Sequence, residues 1–388
     1  MRQYHQFYIN GQWIDPVGGG EAFDVINPSN EEVVGSIRLG GKDDVERAVQ
    51  AAHAVFGSYS RTTLAERKEL LSAIIAEYQK RMPDIASAVS EEMGAPLQSL
   101  ANPLQAPIGL WHLATALATA DAYPWEKQQG TTLLVKEPVG VCALITPWNW
   151  PLNQICCKVA PALLTGCTMV LKPSEFAPFS AQIFAEVLHA AGVPAGVFNL
   201  IHGDGAEIGP LLSSHPLVDM VSLTGSARAG ASVSASAATT IKVVSLELGG
   251  KSANIILDDA PLQEAVAAGV IGMMGNSGQS CNAPSRMFVP ADKLTQAEDI
   301  AKAVCAGLAV GDPQKPETNI GPIANARQYQ RVQSMIDAGI SEGATLICGG
   351  LGRPDGIERG FFCRPTVFSG ANNQALLIGT ILCFSLLA

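Results

Sequence analysis

Between Lys42 and Phe56 the apolar residues Val45, Ala48, Val49, Ala52, Val55 and Phe56 recur at the spacing that gathers them on one face of a helix. A second helix is expected from Thr63, because Thr63-Leu-Ala-Glu66 is a capping-box pattern. Leu70, Leu71, Ile74, Ile75 and Tyr78 carry the helical period onward. Pro83 then stands where a further helix can begin, since its missing N–H costs nothing in a first turn. These helices show no chemistry and read as scaffold. From Val139 the pattern changes to short apolar runs separated by helical stretches. The runs Val139–Thr146, Thr168–Lys172, Val197–Ile201, Val218–Thr224 and Lys242–Leu246 predict strands. Pro178–Ala191 predicts a helix, stopped by Gly192 and Pro194. Apolar strands alternating with helices imply the α/β class, with a parallel sheet covered on both faces. Ligands of such sheets bind beyond the carboxyl ends of the strands. That directs attention to Pro147-Trp148-Asn149, Pro173-Ser174-Glu175, Gly225-Ser226 and Glu247. The segment Thr131–Lys136, polar and β-rich with no helix attached, reads either as an arm pairing with another subunit or as an ordinary surface hairpin.

Composition narrows the setting. At 388 residues the chain exceeds one ordinary core, so at least two domains are expected. Apolar residues at 47% and charged residues at 15% give the balance of a compact globular protein rather than a disordered one. A net charge of −10 with no Lys/Arg block argues against a nucleic-acid partner. The start, Met1-Arg-Gln-Tyr-His-Gln-Phe-Tyr8, lacks the apolar core of a secretory signal. No run approaches the roughly 20 apolar residues of a spanning helix, so no membrane partner and a cytoplasmic location are expected. The nine cysteines, at 142, 156, 157, 167, 281, 305, 348, 363 and 383, show no C-x-x-C spacing. They form neither a disulfide framework nor a zinc site, and no metal is expected. Most are expected to pack as small apolar residues. Cys156 and Cys157 are adjacent, but neighbours on a helix point in different directions, which disfavours a redox pair.

Four stretches carry candidate chemistry. In Leu246-Glu247-Leu248-Gly249-Gly250-Lys251 a carboxylate lies in an apolar run beside two glycines. Burial there is expected to raise its pKa and let Glu247 act as a base near neutral pH; the alternative is a pair with Lys251. Gly275-Asn-Ser-Gly-Gln-Ser-Cys281 follows an Ala/Val/Gly/Met-rich helical run and sets a cysteine in a loop rich in glycine and amides. Backbone N–H groups and a helix terminus near Cys281 would favour thiolate over a thiol of ordinary pKa about 8.5, whereas a packing role needs neither. Asn149, in the two-proline turn Thr146-Pro-Trp-Asn-Trp-Pro151, suits an oxyanion donor, or an Asx-turn residue holding its own loop. Lys172-Pro-Ser-Glu175 puts a carboxylate at a strand mouth, where it suits an adenosine ribose and repels a 2′-phosphate, favouring NAD over NADP. Gly225-Ser-Ala-Arg-Ala-Gly230 opens a helix after a strand and suits a pyrophosphate, although it is not the G-x-G-x-x-G fingerprint.

Thr146-Pro-Trp-Asn-Trp-Pro151, Lys172-Pro-Ser-Glu175, Thr224-Gly-Ser226, Glu247-Leu-Gly-Gly-Lys251 and Gly278-Gln-Ser-Cys281, in this order, resemble the aldehyde dehydrogenase superfamily of the NAD-dependent, non-acylating type. Pro365-Thr-Val-Phe368 is similar to a strand late in that family's catalytic domain. The resemblance implies a doubly wound, Rossmann-like NAD-binding domain from 1–118 and 138–247, an oligomerisation arm at 119–137 and an α/β catalytic domain at 248–388. It implies Cys281 as nucleophile, Glu247 as general base, and an oxyanion hole from the Asn149 amide and the Cys281 N–H. Lys158 matches a lysine given a proton-relay role; a solvated or structural lysine is the other reading. Thr146, Pro147, Trp148, Lys172, Ser174, Glu175, Gly225, Ser226, Leu248 and Gly249 would hold NAD, with Lys172 and Glu175 at the adenosine ribose and Ser226 at the pyrophosphate. A small-molecule aldehyde would be oxidised to a carboxylic acid through a thioester, in a chain whose full-length relatives are homo-oligomers. Two competing readings are an inactive remnant that binds NAD or a partner without turnover, and cofactor-free ester hydrolysis by Cys281.

After Gln374 the resemblance lapses. The family would continue with a Glu-Glu-Ile-Phe-Gly-Pro-like motif whose acidic residue grips the nicotinamide ribose, whereas this chain reads Ala375-Leu-Leu-Ile-Gly-Thr-Ile-Leu-Cys-Phe-Ser-Leu-Leu-Ala388. A truncated or frame-shifted product with an incomplete catalytic domain is expected, the alternative being a membrane-surface or partner-binding tail. The run is too short to span a bilayer and β-prone enough to aggregate.

Overall fold

A computed structural model describes residues 1–370 and the strand Phe384–Leu387. The chain divides into two compact units, one of Met1–Val25, Val33–Val89 and Asn102–Glu247, the other of Ile26–Glu32, Ser90–Ala101 and Leu248–Ala388. Residues 26–32 and 90–101, expected in the first domain, thus cluster with the second.

The first unit is built on a seven-stranded sheet. Its strands are β1 (Phe7–Ile9), β2 (Gln12–Ile14), β3 (Val141–Ile145), β4 (Thr168–Lys172), β5 (Phe198–Leu200), β6 (Met220–Gly225) and β7 (Val243–Leu248). They lie in the order β7-β6-β3-β4-β5-β1-β2. The neighbours from β6 to β5 are parallel, and β1 and β2 add an antiparallel edge. Every residue of β3 and β4 is buried. Alternate residues Val141, Ala143 and Ile145 join a core with Val45, Val49, Ile208, Leu212 and Val233. Those partners come from α1 (Lys42–Tyr59), α6 (Gly205–Ser214) and α7 (Ala227–Ala237). Cys142 and Leu144 point the other way because strand side chains alternate. A second helical group, α3 (Ala106–Thr119), α4 (Pro151–Thr165) and α5 (Phe179–Ala190), packs through α4 onto the same strands. Helices therefore cover both faces, as continuous apolar strands require.

Two scaffold details differ from expectation or refine it. Pro83 starts no new helix; it lies inside α2 (Leu64–Met93). Tyr78 before it and Ile85, Ala86 and Val89 after it are all buried, so packing on both sides carries the helix through the lost N–H. The segment around Thr131–Lys136 forms an antiparallel hairpin, Glu126–Gln129 with Thr132–Val135, turned at Gly130 (φ 61°) and exposed at every strand position.

The second unit holds a five-stranded sheet of β8 (Ala253–Ile255), β9 (Arg286–Phe288), β10 (Thr345–Cys348), β11 (Thr366–Ser369) and β12 (Phe384–Leu387), ordered β8-β9-β12-β11-β10. All pairs are parallel except β10 with β11. Helices α8 (Leu262–Met274) and α9 (Leu294–Ala306) bury Val266, Val270, Met273, Ala297 and Ala301 with Met287 and Val367. Val332 and Ile336 of α10 (Ala326–Ser341) pack with Phe368. Apart from the backbone of β12, the tail 375–388 and the expectations attached to it lie outside the described residues.

Candidate active site

Parallel register brings most of the first unit's candidate residues to one edge. Leu223, Ile145 and Lys172 are level across β6, β3 and β4, so the residues after them line up beyond the carboxyl ends. From β3 the chain winds to β4 and β5 on one side and later returns to β6 and β7 on the other, which makes β3/β6 the switch point where such sheets bind ligands. The Thr146 N–H donates to the Lys172 carbonyl (3.1 Å). The Thr146 hydroxyl is buried with no hydrogen-bond partner among the described residues. The buried Lys172 ammonium forms an ion pair with Glu175 (2.9 Å), while Ser174 Oγ accepts from the Phe176 N–H (3.3 Å). Pro147, Trp148 and Asn149 are half-buried, and Gln105 Nε2 donates to the Asn149 carbonyl (3.2 Å), tying down the turn. Pro151 opens α4, where its fixed φ suits the first turn. Beyond Gly225, the exposed Ser226 is the N-cap of α7, its Oγ accepting from the Ala229 N–H (3.2 Å). The remaining first-turn amides of α7 have no partner within the helix, the arrangement that attracts anions at helix starts in general.

Lys158, on α4, is buried and donates to Ser222 Oγ of β6 (2.9 Å), so it is not a solvated lysine. Burial draws its ammonium below the ordinary lysine range, and the nearby Cys157 and Glu247 oppose that shift. Glu247 departs from expectation because it is exposed rather than buried. The reason is position: β7 is the edge strand of the sheet, so the apolar run that suggested enclosure is itself open on one side.

In the second unit Cys281 follows a turn of unusual backbone. Asn276, Ser277 and Gly278 take φ of 54°, 57° and 72°, three left-handed residues in succession. A residue other than glycine costs about 1–2 kcal/mol there, so the surroundings must hold the turn. Ser277 Oγ donates to the Gly321 carbonyl (2.8 Å), and Gln279 Oε1 accepts from the Ala324 N–H (2.9 Å). Gln279 Nε2 returns to the Asn276 carbonyl (3.1 Å). The result is a buried Gly278–Ser280 followed by a half-buried thiol at Cys281. The turn after β7 passes alongside: Leu248 is half-buried, Gly249 exposed, and a Cβ at Gly250 would stand 3.4 Å from the Cys281 carbonyl oxygen. The anchors Ser277 and Gln279 and the Lys158 partner Ser222 were not singled out from sequence. Nothing in the run Val218–Thr224 sets Ser222 apart, since Asp219 and Thr224 are polar there too. Among the described residues no group of His, Cys, Asp and Glu is arranged to hold a metal ion, and no helix is long and apolar enough to cross a membrane.

Residues 13–380 match the model of the aldehyde dehydrogenase family. This chain belongs to that family. Among its relatives, a 3-succinoylsemialdehyde-pyridine dehydrogenase of a Pseudomonas species is 56% identical over 388 residues, covering 99% of this chain and 81% of the relative. The crystal structure of a mutant aldehyde dehydrogenase C of Pseudomonas syringae, in complex with NAD+ and octanal, superposes with a TM-score of 0.96 at 47% identity, over 99% of this chain and 79% of that one. The aldehyde dehydrogenase of Bartonella henselae gives a TM-score of 0.96 at 43% identity, over 100% of this chain and 83% of that one. The α/β architecture of this aldehyde dehydrogenase is thus that of its solved relatives.

Proposed function

We propose that this chain oxidises an aldehyde to a carboxylic acid with NAD, through a thiohemiacetal and then a thioester on Cys281. The observation that carries the reading is the held left-handed turn Asn276–Gly278, which delivers a half-buried thiol within a chain that matches the family from residue 13 to residue 380. The Pseudomonas syringae relative, solved with NAD+ and octanal, supports both the cofactor and the substrate class. Identity of 56% along 99% of the chain does not favour the inactive-remnant reading.

The first unit's residues fit a dinucleotide. The Thr146 hydroxyl is a buried donor awaiting an acceptor, α7 offers first-turn amides beside Ser226, and the Lys172–Glu175 pair sits at the mouth of β4. In this reading Lys172 and Glu175 hold the adenosine ribose and Ser226 with Gly225 the pyrophosphate, while Thr146, Pro147, Trp148, Ser174, Leu248 and Gly249 line the rest. Bound NAD supplies the hydride acceptor. The protein's own part begins with the Cys281 thiolate adding to the aldehyde carbon. The oxyanion so formed accepts hydrogen bonds from the Asn149 amide and the Cys281 N–H, each worth on the order of 3 kcal/mol. Glu247 then takes a proton from the water that cleaves the thioester, and its exposure lets it pass that proton to solvent. Lys158 can assist, since it lies near Glu247 and its pKa is lowered by burial.

On the same reading the first unit binds NAD, the second carries the nucleophile, and the hairpin Glu126–Val135 serves as an oligomerisation arm. Leu133, Leu134 and Val135 leave 52%, 44% and 52% of their surface open on that hairpin, which supports the last role. Eight free thiols among the described residues suit a reducing, cytoplasmic setting. The test is NADH formation with a panel of aldehydes, run beside ester hydrolysis without NAD. NADH is the expected product. Ester cleavage without NADH points to a cofactor-free hydrolase, and absence of both returns the remnant.

A further inference from the structure

Within residues 151–160 of α4 only Asn153, Gln154 and Cys157 escape burial. They fall within about 100° of one another around the helix, so this part of α4 leaves one narrow polar strip open. Gln154 is held from β6, its Oε1 accepting from the Thr224 hydroxyl (2.9 Å). Asn153 is met from α3, where His112 Nε2 lies in hydrogen-bond contact with Asn153 Oδ1. The amide oxygen can only accept, so Nε2 carries the imidazole proton and donates. This bond fixes the Asn153 amide and leaves its Nδ2 hydrogens without an acceptor among the described residues. Both side chains are only half-buried, so a small molecule can reach them. Asn153 lies in the first turn of α4, four residues after Asn149. A helical turn rises about 5.4 Å, which puts this amide on the order of 5 Å from the Asn149 turn. Gln105, the residue before α3, also donates to the Asn149 carbonyl (3.2 Å), so α3 holds the start of α4 at two points. Further along the strip, burial pushes the Cys157 thiol up and the Glu247 carboxylate adds to that rise.

We propose that His112 and Asn153 form a specificity-determining pair, which recognises a second carbonyl oxygen about four carbons along the aldehyde from the reacting one. The inference rests on the reading of Asn149 as the oxyanion donor. With the reacting carbonyl held at Asn149, about four carbons of extended chain cover the rise of one helical turn and bring the second oxygen to Asn153 Nδ2. An aldehyde with an acceptor there satisfies the amide. A plain alkyl aldehyde displaces water from the same donor and returns no hydrogen bond, and that loss is the source of discrimination. His112 acts through Asn153 as a positioning residue: it holds the amide oxygen, so that the nitrogen faces the ligand. Asn153 makes the contact itself.

The experiment compares 4-oxopentanal with pentanal, which match in chain length and differ by one carbonyl oxygen. NADH formation is followed with the full chain and with its Asn153→Leu, His112→Leu and His112→Gln variants. In the parent kcat/KM should favour 4-oxopentanal about tenfold or more, mainly through KM. Asn153→Leu should bring the ratio near one. His112→Leu should lower it partway, because the amide is then present but loose, whereas His112→Gln can still donate to Asn153 Oδ1 and should keep most of the preference. A purely structural tie between α3 and α4 would slow both aldehydes alike and leave their ratio where it stood. Equal use of the two aldehydes by the parent overturns the proposal, as does an unchanged ratio in Asn153→Leu. A parent that makes no NADH from any aldehyde instead removes the oxidation reading, and the pair falls with it.

Discussion

The strand ends of the first unit and the Cys281 turn of the second reach functional geometry by opposite routes. At the strand ends the backbone is ordinary: parallel register levels Leu223, Ile145 and Lys172, and side-chain contacts such as Lys172–Glu175 and, within β6, Lys158–Ser222 fix the polar groups. At the Cys281 turn the backbone itself is unusual, with three consecutive left-handed residues held by Ser277 and Gln279. The first arrangement depends on which side chains are present. The second depends on which residues tolerate positive φ, so a change too small to alter chemistry there still displaces the thiol.

The most severe way to break the comparison is Cys281→Ala, expected to lower NADH formation about a thousandfold or more while NAD binding, read by fluorescence titration, is kept. Turnover near the parent rate would remove Cys281 from the mechanism. Asn149→Ala should cost about a hundredfold or more in kcat with little change in KM for NAD. A rise confined to the KM for NAD would make Asn149 a turn residue only. Gly278→Ala and Ser226→Ala sharpen the contrast between the regions. Gly278 sits at φ 72°, so a methyl group there should cost about 1–2 kcal/mol in denaturation and lower kcat, leaving NAD affinity intact. Ser226→Ala removes a helix cap and should cost about 1 kcal/mol while weakening NAD and sparing kcat. Identical kinetic signatures from the two variants would contradict the division of labour.

The smallest effect concerns acid. His202, just after β5, is fully buried, with its Nε2 3.2 Å from Gln182 Oε1. Burial, aided by the Lys172 charge, pulls its pKa from 6.5 down to about 3. Between these values the unfolded chain takes up a proton that the folded one refuses, so lowering the pH favours unfolding. Stability from this source is present above pH 6.5 and lost as pH falls toward 3. His202→Gln should therefore flatten the fall in stability over that window, measured by urea denaturation. An unchanged slope would assign the acid sensitivity to other groups.

Much of the fold was legible in the sequence because its signals are local. The capping box at Thr63 is observed, Glu66 Oε2 accepting from the Thr63 N–H (2.7 Å) and the Glu66 N–H donating to Thr63 Oγ1 (3.2 Å). The strand Thr168–Lys172 lies on the predicted residues, and the helix after Gly225 begins where expected. Order along the chain also carried the motifs that identify the family. Pro83 was misread because a proline's local preference for a first turn gave way to packing on both sides of it. The exposure of Glu247 was out of reach for a related reason. An apolar run has the same appearance in an edge strand as in a central one, and only strand order distinguishes them.

The sequence by itself determined the alternation of strands and helices, the positions of caps and turns, and the residue types able to carry thiol and oxyanion chemistry, since each depends on neighbours within a few positions. Tertiary structure alone decided which polar side chains are enclosed and what they touch. Lys158 finding Ser222 and Gln279 finding Ala324 both join segments far apart in the chain. Burial and long-range pairing depend on how complete elements pack, and no local window of sequence contains that information.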